Sequence, residues 1–232
     1  MTDFGVVTGL AFEAKLIEKA FAREWRRGPD FACAGPGPER AQAAAVKLLA
    51  GGARVLVSFG LCAGLDPALK AGDLMLAEVV IVAPGLAIET DAPRRTALAA
   101  RLAESGLRVV GSALLGQERQ IGRAEDKAAL FASTGARAVD MESHGVARAA
   151  EAAGVPFLVV RAVADPAGRS LPRAALDAAG PDGRIKLFKV LTTMYLRPWE
   201  GPAVIRLAYE TRLAMNTLER LAEPNGPLFG GD

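Results

Sequence analysis

Two acidic segments of the 232-residue chain carry residue types that can move protons. In Val139-Asp140-Met141-Glu142 two carboxylates flank a methionine where an apolar run gives way to a helical pattern, and Asp165 closes the apolar run that begins at Pro156. Carboxylates at strand ends in a Gly-rich, apolar neighbourhood are desolvated. Desolvation raises their pKa and lets them act as acids near neutrality. A structural reading stands beside this one: Asp140 and Glu142 cap a helix start and complement its dipole, and Asp165 before Pro166 is a turn residue. Two further strand ends belong with these, Gly9-Leu10-Ala11-Phe12-Glu13 and the Gly-rich Ser58-Phe59-Gly60-Leu61-Cys62-Ala63-Gly64-Leu65. His144 is the sole histidine; a surface or supporting position is expected of it, and no Ser-His-Asp arrangement can be built around it.

The elements that must position these residues alternate. Strands are expected at Phe4–Gly9, Phe31–Ala34, Arg54–Phe59, Leu74–Val82, Val109–Leu114 and Pro156–Val163. Helices are expected at Glu13–Glu24, Glu39–Ala50, Arg94–Ser105, Ala124–Ser133 and Glu142–Ala153. β-Branched runs buried on both faces and spaced by helices give an α/β fold of three layers, αβα, around a central mixed, mainly parallel sheet. Ligands of such sheets bind beyond the carboxyl ends of the strands, which is where the acidic residues lie. With no repeat or linker, 1–232 reads as one domain. Prolines then divide a tail with helical stretches at Arg184–Arg197 and Val204–Glu223, an extended C-terminal helical segment over 180–223.

Lys plus Arg (28) nearly balance Asp plus Glu (26), so no global field draws the protein onto nucleic acid. Cys33 and Cys62 lack metal-ligand spacing and are expected to pack as small hydrophobes. No metal site is expected. Gly35-Pro36-Gly37 before a helix is not a dinucleotide fingerprint, since Arg40 stands at the third glycine position and the prolines remove backbone donors; a turn leading into a helix explains it. The start lacks a basic segment followed by a long apolar one, and no 18-residue apolar stretch occurs, so the expectation is a cytoplasmic protein.

Val139-Asp140-Met141-Glu142 followed by Phe157-Leu158-Val159-Val160-Arg161-Ala162-Val163-Ala164-Asp165 resembles the nucleoside phosphorylase/nucleosidase superfamily, and within it the methylthioadenosine/S-adenosylhomocysteine nucleosidases. Gly35-Pro36-Gly37-Pro38-Glu39-Arg40-Ala41 resembles their Gly-x-Gly helix lead-in. Gly60-Leu61-Cys62-Ala63-Gly64-Leu65, with Lys70-x-Gly72-Asp73 after it, resembles their central glycine loop, so the likeness covers residues 4 to 166. Val7-Thr8-Gly9-Leu10-Ala11-Phe12-Glu13, Ser58-Phe59-Gly60-Leu61, Asp140-Met141-Glu142-Ser143-His144 and Asp165-Pro166 look most like the hopanoid-associated phosphorylase group. The role proposed for that group is removal of adenine from adenosylhopane in hopanoid biosynthesis.

The resemblance implies roles residue by residue. Glu142 binds the ribose hydroxyls, Met141 packs on the sugar, and Asp165 protonates or hydrogen-bonds N7 of the departing purine. Ribosyl transfer passes through an oxocarbenium-like state, so acid assistance at the base and a nearby anion both lower the barrier. Gly60, Leu61 and Asp140 join the substrate-binding set. Gln120 contributes main-chain contacts to the base, and Arg119 stands where the nucleosidases carry an aromatic, able to stack through its guanidinium plane. Glu13 corresponds, with a one-residue shift, to the glutamate that activates water in nucleosidases; hexameric phosphorylases bind phosphate there through an arginine. Ser58 and Leu61 replace two further phosphate-binding residues. A carboxylate there repels a phosphate dianion, so hydrolysis is favoured over phosphorolysis, although Arg94, Arg119 or Arg123 could bring phosphate in from another side. No cofactor is implied, with phosphate a co-substrate only of a phosphorylase. Relatives are commonly dimers or larger.

Arg184–Arg197 carries four basic residues and no acidic one. Leu187, Val190, Leu191, Met194 and Tyr195 fall on one side of a helical wheel, with Lys186, Lys189 and Arg197 mostly opposite. Two readings fit: a helix docked on the core, and a helix lying on an anionic membrane surface that borders the 5′ side of the ribose and admits a lipid substituent. The alternatives for the whole chain are a phosphorylase, a nucleosidase of small soluble nucleosides, and a non-catalytic nucleoside sensor. Glu13, Glu142 and Asp165 argue against the sensor.

Overall fold

In a computed structural model, which describes residues 3–22, 29–176, 178–223 and 226–229, the β-branched runs form strands and the Ala-rich stretches form helices. The order is β1 (Phe4–Thr8), α1 (Ala11–Phe21), β2 (Asp30–Cys33), α2 (Pro38–Ala50), β3 (Val55–Gly64), β4 (Leu74–Ala83), β5 (Leu86–Glu89), α3 (Ala92–Ala103) and β6 (Val109–Gly116). There follow α4 (Ala124–Thr134), β7 (Ala138–Asp140), α5 (Ser143–Ala153), β8 (Phe157–Asp165), α6 (Arg173–Leu176), α7 (Leu187–Leu196), a 3-10 turn (Pro198–Glu200) and α8 (Gly201–Ala222). The helix expected over 13–24 begins two residues earlier, and residues 23 and 24 lie outside the described residues.

The sheet is mixed, as expected. β1 runs parallel to β2 and β3, β3 to β8, β4 to β6 and β6 to β7, while β3–β7, β4–β5 and β4–β8 are antiparallel. β8 pairs with β3 on one edge and β4 on the other, so β3, β8, β4, β6 and β7 close into a ring from which β1, β2 and β5 extend. The residues of β3 alternate between two cores, the signature of a strand covered on both faces. Leu56 packs with Ala41, Ala45, Val146 and Ala150 of α2 and α5. Val57 and Phe59 pack with Ile17, Leu98, Leu102 and Leu218 of α1, α3 and α8.

Four differences from expectation have physical reasons. Gly60-Leu61 is not a loop beyond a strand: β3 runs on to Gly64 because β8 continues the ladder beside it from Leu56↔Phe157 to Cys62↔Val163. β5 and β7 are too short, at four and three residues, to show a period, and form because neighbouring strands supply their partners. Cys62 is buried as expected, but Cys33 is exposed because β2 is an edge strand. Finally, α7 starts at Leu187 and has no buried residue; Val190, Thr193 and Met194 are half-buried, while Leu187, Phe188, Leu191 and Tyr195 face outward. Of the side expected to dock on the core, Val190 and Met194 are half-buried, while Leu187, Leu191 and Tyr195 are turned outward.

Candidate active site

Glu13, Asp140 and Glu142 converge on one buried guanidinium, that of Arg161 at the middle of β8. Its Nε lies 2.8 Å from Asp140 Oδ2 and its Nη1 3.3 Å from Glu142 Oε2. Arg161 also donates from Nη2 to Ser58 Oγ (2.7 Å), from Nη1 to the Leu61 carbonyl (3.3 Å) and from Nε to Ser143 Oγ (3.3 Å). A buried cation survives only when paired, and here two strands, β3 and β7, and the start of α5 supply the pairing. Burial alone would lower the Arg161 pKa, but Asp140, Glu142 and Glu13 raise it.

The two readings of Asp140 and Glu142 divide between the residues. Asp140 accepts from Ser143 N–H (3.2 Å) and the Ser143 hydroxyl, so it is the helix-start carboxylate as well as the partner of Arg161. Its side chain is buried. Glu142 makes no side-chain cap bond. It accepts instead from Gly37 N–H (3.3 Å), in the Gly-Pro turn ahead of α2. Burial raises its pKa against the lowering effect of Arg161, and the like charges of Asp140 and Glu13 raise it further. Met141, between them, is half-buried.

Glu13 holds both structural and chemical potential. Oε2 accepts from Leu10 N–H (2.8 Å) and Gly9 N–H (3.0 Å), closing the first turn of α1, and Oε1 accepts from Leu61 N–H (2.9 Å). A carboxylate offers about four lone-pair sites, so one remains for a water or a substrate hydroxyl. Burial raises its pKa, opposed by Arg161 and the three N–H donors. Two glycines let the backbone approach this closely. A Cβ on Gly60 (φ +155°) would sit 2.6 Å from Glu13 Oε1, and one on Gly9 would sit 2.7 Å from Glu142 Cδ.

Asp165, at the end of β8, faces a different cation. Lys127 of α4 is fully buried and its Nζ lies 2.6 Å from Asp165 Oδ2. The ammonium donates to the carbonyls of Arg169 (2.9 Å) and Pro166 (3.2 Å). Among the described residues neither Asp165 oxygen has an aligned hydrogen-bond donor. Burial pushes its pKa up to about 6, against the lowering effect of the Lys127 charge. Cys62 is buried, its thiol pushed up by burial and by the charges of Asp140 and Asp165.

Arg119 and Gln120 are exposed, in the connection from β6 to α4. Arg119 lines a cavity of about 910 Å³ with His144, Arg148, Gln117 and Pro84; Glu13, Glu142 and Asp165 do not line it. His144 is buried, not superficial. It packs against Gly116, and burial lowers its pKa. Of the arginines considered for phosphate, Arg94 pairs with Asp91 (3.3 Å) and Arg123 with Glu125 (3.1 Å).

Sequence reasoning missed Arg161 and Lys127 as members of the site. Arg161 did leave a signal, the one basic residue within Phe157–Asp165, whose nine residues are all buried; such a cation requires carboxylate partners.

The Phosphorylase superfamily profile matches residues 31–195. No curated protein sequence matches the chain. Among solved structures, the fold is similar to that of a 5′-methylthioadenosine/S-adenosylhomocysteine nucleosidase from Neisseria meningitidis in complex with methylthio-immucillin-A. The TM-score is 0.70 at 17% identity, covering 96% of this chain and 98% of that one. The corresponding nucleosidase from Helicobacter pylori, with butyl-thio-DADMe-Immucillin-A, gives 0.67 at 16% identity over 93% and 95%. A futalosine hydrolase from Helicobacter pylori gives 0.67 at 18% identity over 83% and 96%.

Proposed function

The chain belongs to the phosphorylase superfamily, and from that membership and the geometry of the site we propose that it cleaves the N-glycosidic bond of a purine nucleoside, with Asp165 as the acid at the base. The observation that carries this reading is the Asp165 carboxyl itself: buried at a strand end, raised to about 6, and without an aligned donor of its own. Such a group can deliver a proton or a hydrogen bond to N7 of a departing purine. General-acid help of this kind is worth about 10²–10⁴ in rate. Glu142 then takes the ribose hydroxyls, with Met141 against the sugar, and Glu13 uses its remaining lone pair to orient the nucleophile. Gly60 and Leu61 shape the wall between them.

Water is the nucleophile we propose. Three buried carboxylates face one guanidinium, and the donors of Arg161 are turned to Asp140, Glu142, Ser58, Ser143 and the Leu61 carbonyl. An incoming phosphate dianion would meet an excess of negative charge with that cation already engaged. The similar solved structures are named as nucleosidases and a hydrolase, which agrees with this reading. For the substrate we propose adenosylhopane, giving adenine and ribosylhopane, on the resemblance of the Gly9–Glu13, Ser58–Leu61 and Asp140–His144 segments to the hopanoid-associated group.

The test is release of free adenine from an adenosine derivative by the wild type and by Asp165→Asn, with the sugar product assayed for 1-phosphate in the presence and absence of phosphate. Phosphate-independent release by the wild type, lost in the variant, is expected. A phosphate requirement with ribose 1-phosphate as product would make the protein a phosphorylase. Binding without turnover would make it a sensor.

A further inference from the structure

The region from α7 to the first turns of α8 exposes apolar surface that a water-facing segment has no use for. Eight of the thirteen exposed large hydrophobic side chains among the described residues lie between 187 and 209. Phe188 is 84% exposed, Tyr195 86% and Trp199 69%, with Leu191, Ile205 and Tyr209 also outward. The helices of the body bury their apolar sides, as α3 does with Leu98 and Leu102, whereas α7 buries no residue. Solvent-exposed aromatic and aliphatic surface of this density marks an interaction site.

The charge around it selects the partner. Between 182 and 210 the sequence holds Arg184, Lys186, Lys189, Arg197 and Arg206 against Asp182, Glu200 and Glu210; Arg184 pairs with Asp182 (3.8 Å) and Arg197 with Glu200 (3.7 Å), and the balance stays positive. Across a two-fold contact between copies, the same cationic rim would face itself. An anionic lipid surface complements it, and Trp and Tyr favour the headgroup level, where one end of the ring is apolar and the other wet. No helix among the described residues is long and apolar enough to cross a membrane, so the segment would lie on a bilayer.

Its place in the fold joins this surface to the site. The stem leading into α7 is fixed to the loop that holds the carboxylates: Ala11 N–H donates to the Gly183 carbonyl (3.0 Å), next to Gly9, which lies against Glu142. We propose that the 187–209 surface docks on a bilayer rich in anionic phospholipid and sets the ribose side of the carboxylate site at the lipid headgroups. The docking rests on this surface alone; that the bilayer supplies the nucleoside rests on the function proposed above.

The test is sedimentation of the full chain with phosphatidylglycerol/phosphatidylcholine vesicles and with phosphatidylcholine vesicles. Four proteins are compared: wild type, Phe188→Ser/Trp199→Ser, Lys186→Glu/Lys189→Glu, and an unrelated surface variant, Lys47→Glu. Circular dichroism confirms folding. Wild type is expected to partition at least about tenfold more strongly onto the anionic vesicles, and each double variant to lose about tenfold or more of that partition. Loss of binding at raised salt is also expected. Wild type remaining in the supernatant, or double variants binding like Lys47→Glu, would overturn the proposal. So would a dimer by light scattering that Phe188→Ser/Trp199→Ser converts to monomer without any vesicle binding, since the occupant would then be a second copy. Cleavage of a soluble adenosine derivative should be equal in all four proteins. Vesicle binding without any cleavage would leave the docking standing and remove the function.

Discussion

The ammonium of Lys127 meets Asp165 Oδ2 at 2.6 Å, yet gives its aligned hydrogen bonds to the carbonyls of Pro166 and Arg169. Lys127 lowers the Asp165 pKa by its charge and its close contact, but burial prevails and leaves the carboxyl raised from 3.8 to about 6. An acid that must be protonated loses activity as pH rises through its pKa. Wild-type kcat/KM is expected to fall as pH climbs past about 6. In Lys127→Met the opposing cation is gone, the Asp165 pKa rises further, and the alkaline limb of the profile moves to higher pH. An unmoved limb would separate Lys127 from the acid.

Arg161→Met leaves Asp140, Glu142 and Glu13 enclosed without their cation. Breaking a buried pair by removing one partner costs about 3–5 kcal/mol. The folded-state pKa values of Glu13 and Glu142, already raised, rise again. The folded state then binds protons more tightly than the unfolded one, so the variant loses stability as pH increases. Urea unfolding of wild type and variant at mildly acidic and mildly alkaline pH should show the larger deficit on the alkaline side. Equal deficits would mean the carboxylates are not what Arg161 holds.

Gly60→Ala places a methyl group 2.6 Å from Glu13 Oε1. The carboxylate has to move, and a displacement of about 1 Å at a reacting group costs on the order of 10²-fold in rate. Since Glu13 is assigned to the nucleophile and Glu142 to the ribose, kcat should fall with KM little changed. Parallel steady-state kinetics of Glu13→Gln check the assignment: both variants should depress kcat, and a change confined to KM would contradict it.

The sheet and its helices were legible because runs such as Phe157–Val163 and Leu74–Val82 are apolar over lengths that only buried strands use. Glu13, Gly60, Leu61 and Glu142 were legible as strand-end neighbours and do come together. The shared cation was not. Arg161 stands 19 positions from Glu142 and reaches it only because β8 threads between β3 and β4, a pairing that no local pattern encodes. Lys127 left no signal at all, since a lysine in the first turns of a helix is ordinarily solvated. The wheel of α7 offered one apolar side, and periodicity cannot say whether that side meets the core or faces outward.

β8 is hydrogen-bonded along both edges, to β3 and to β4, and every one of its residues is buried. Opening it means breaking two ladders of a closed ring, so its amides should exchange with solvent deuterium only through global unfolding. Those of α7, with no buried residue to hold it, should exchange through cheap local fraying. Hydrogen-exchange mass spectrometry should place the two segments at opposite ends of the protection scale, and a β8 that exchanges early would refute this. Asp165 is thus carried by the last part of the molecule to come apart, and the proposed acid keeps its position while α7 melts and re-forms.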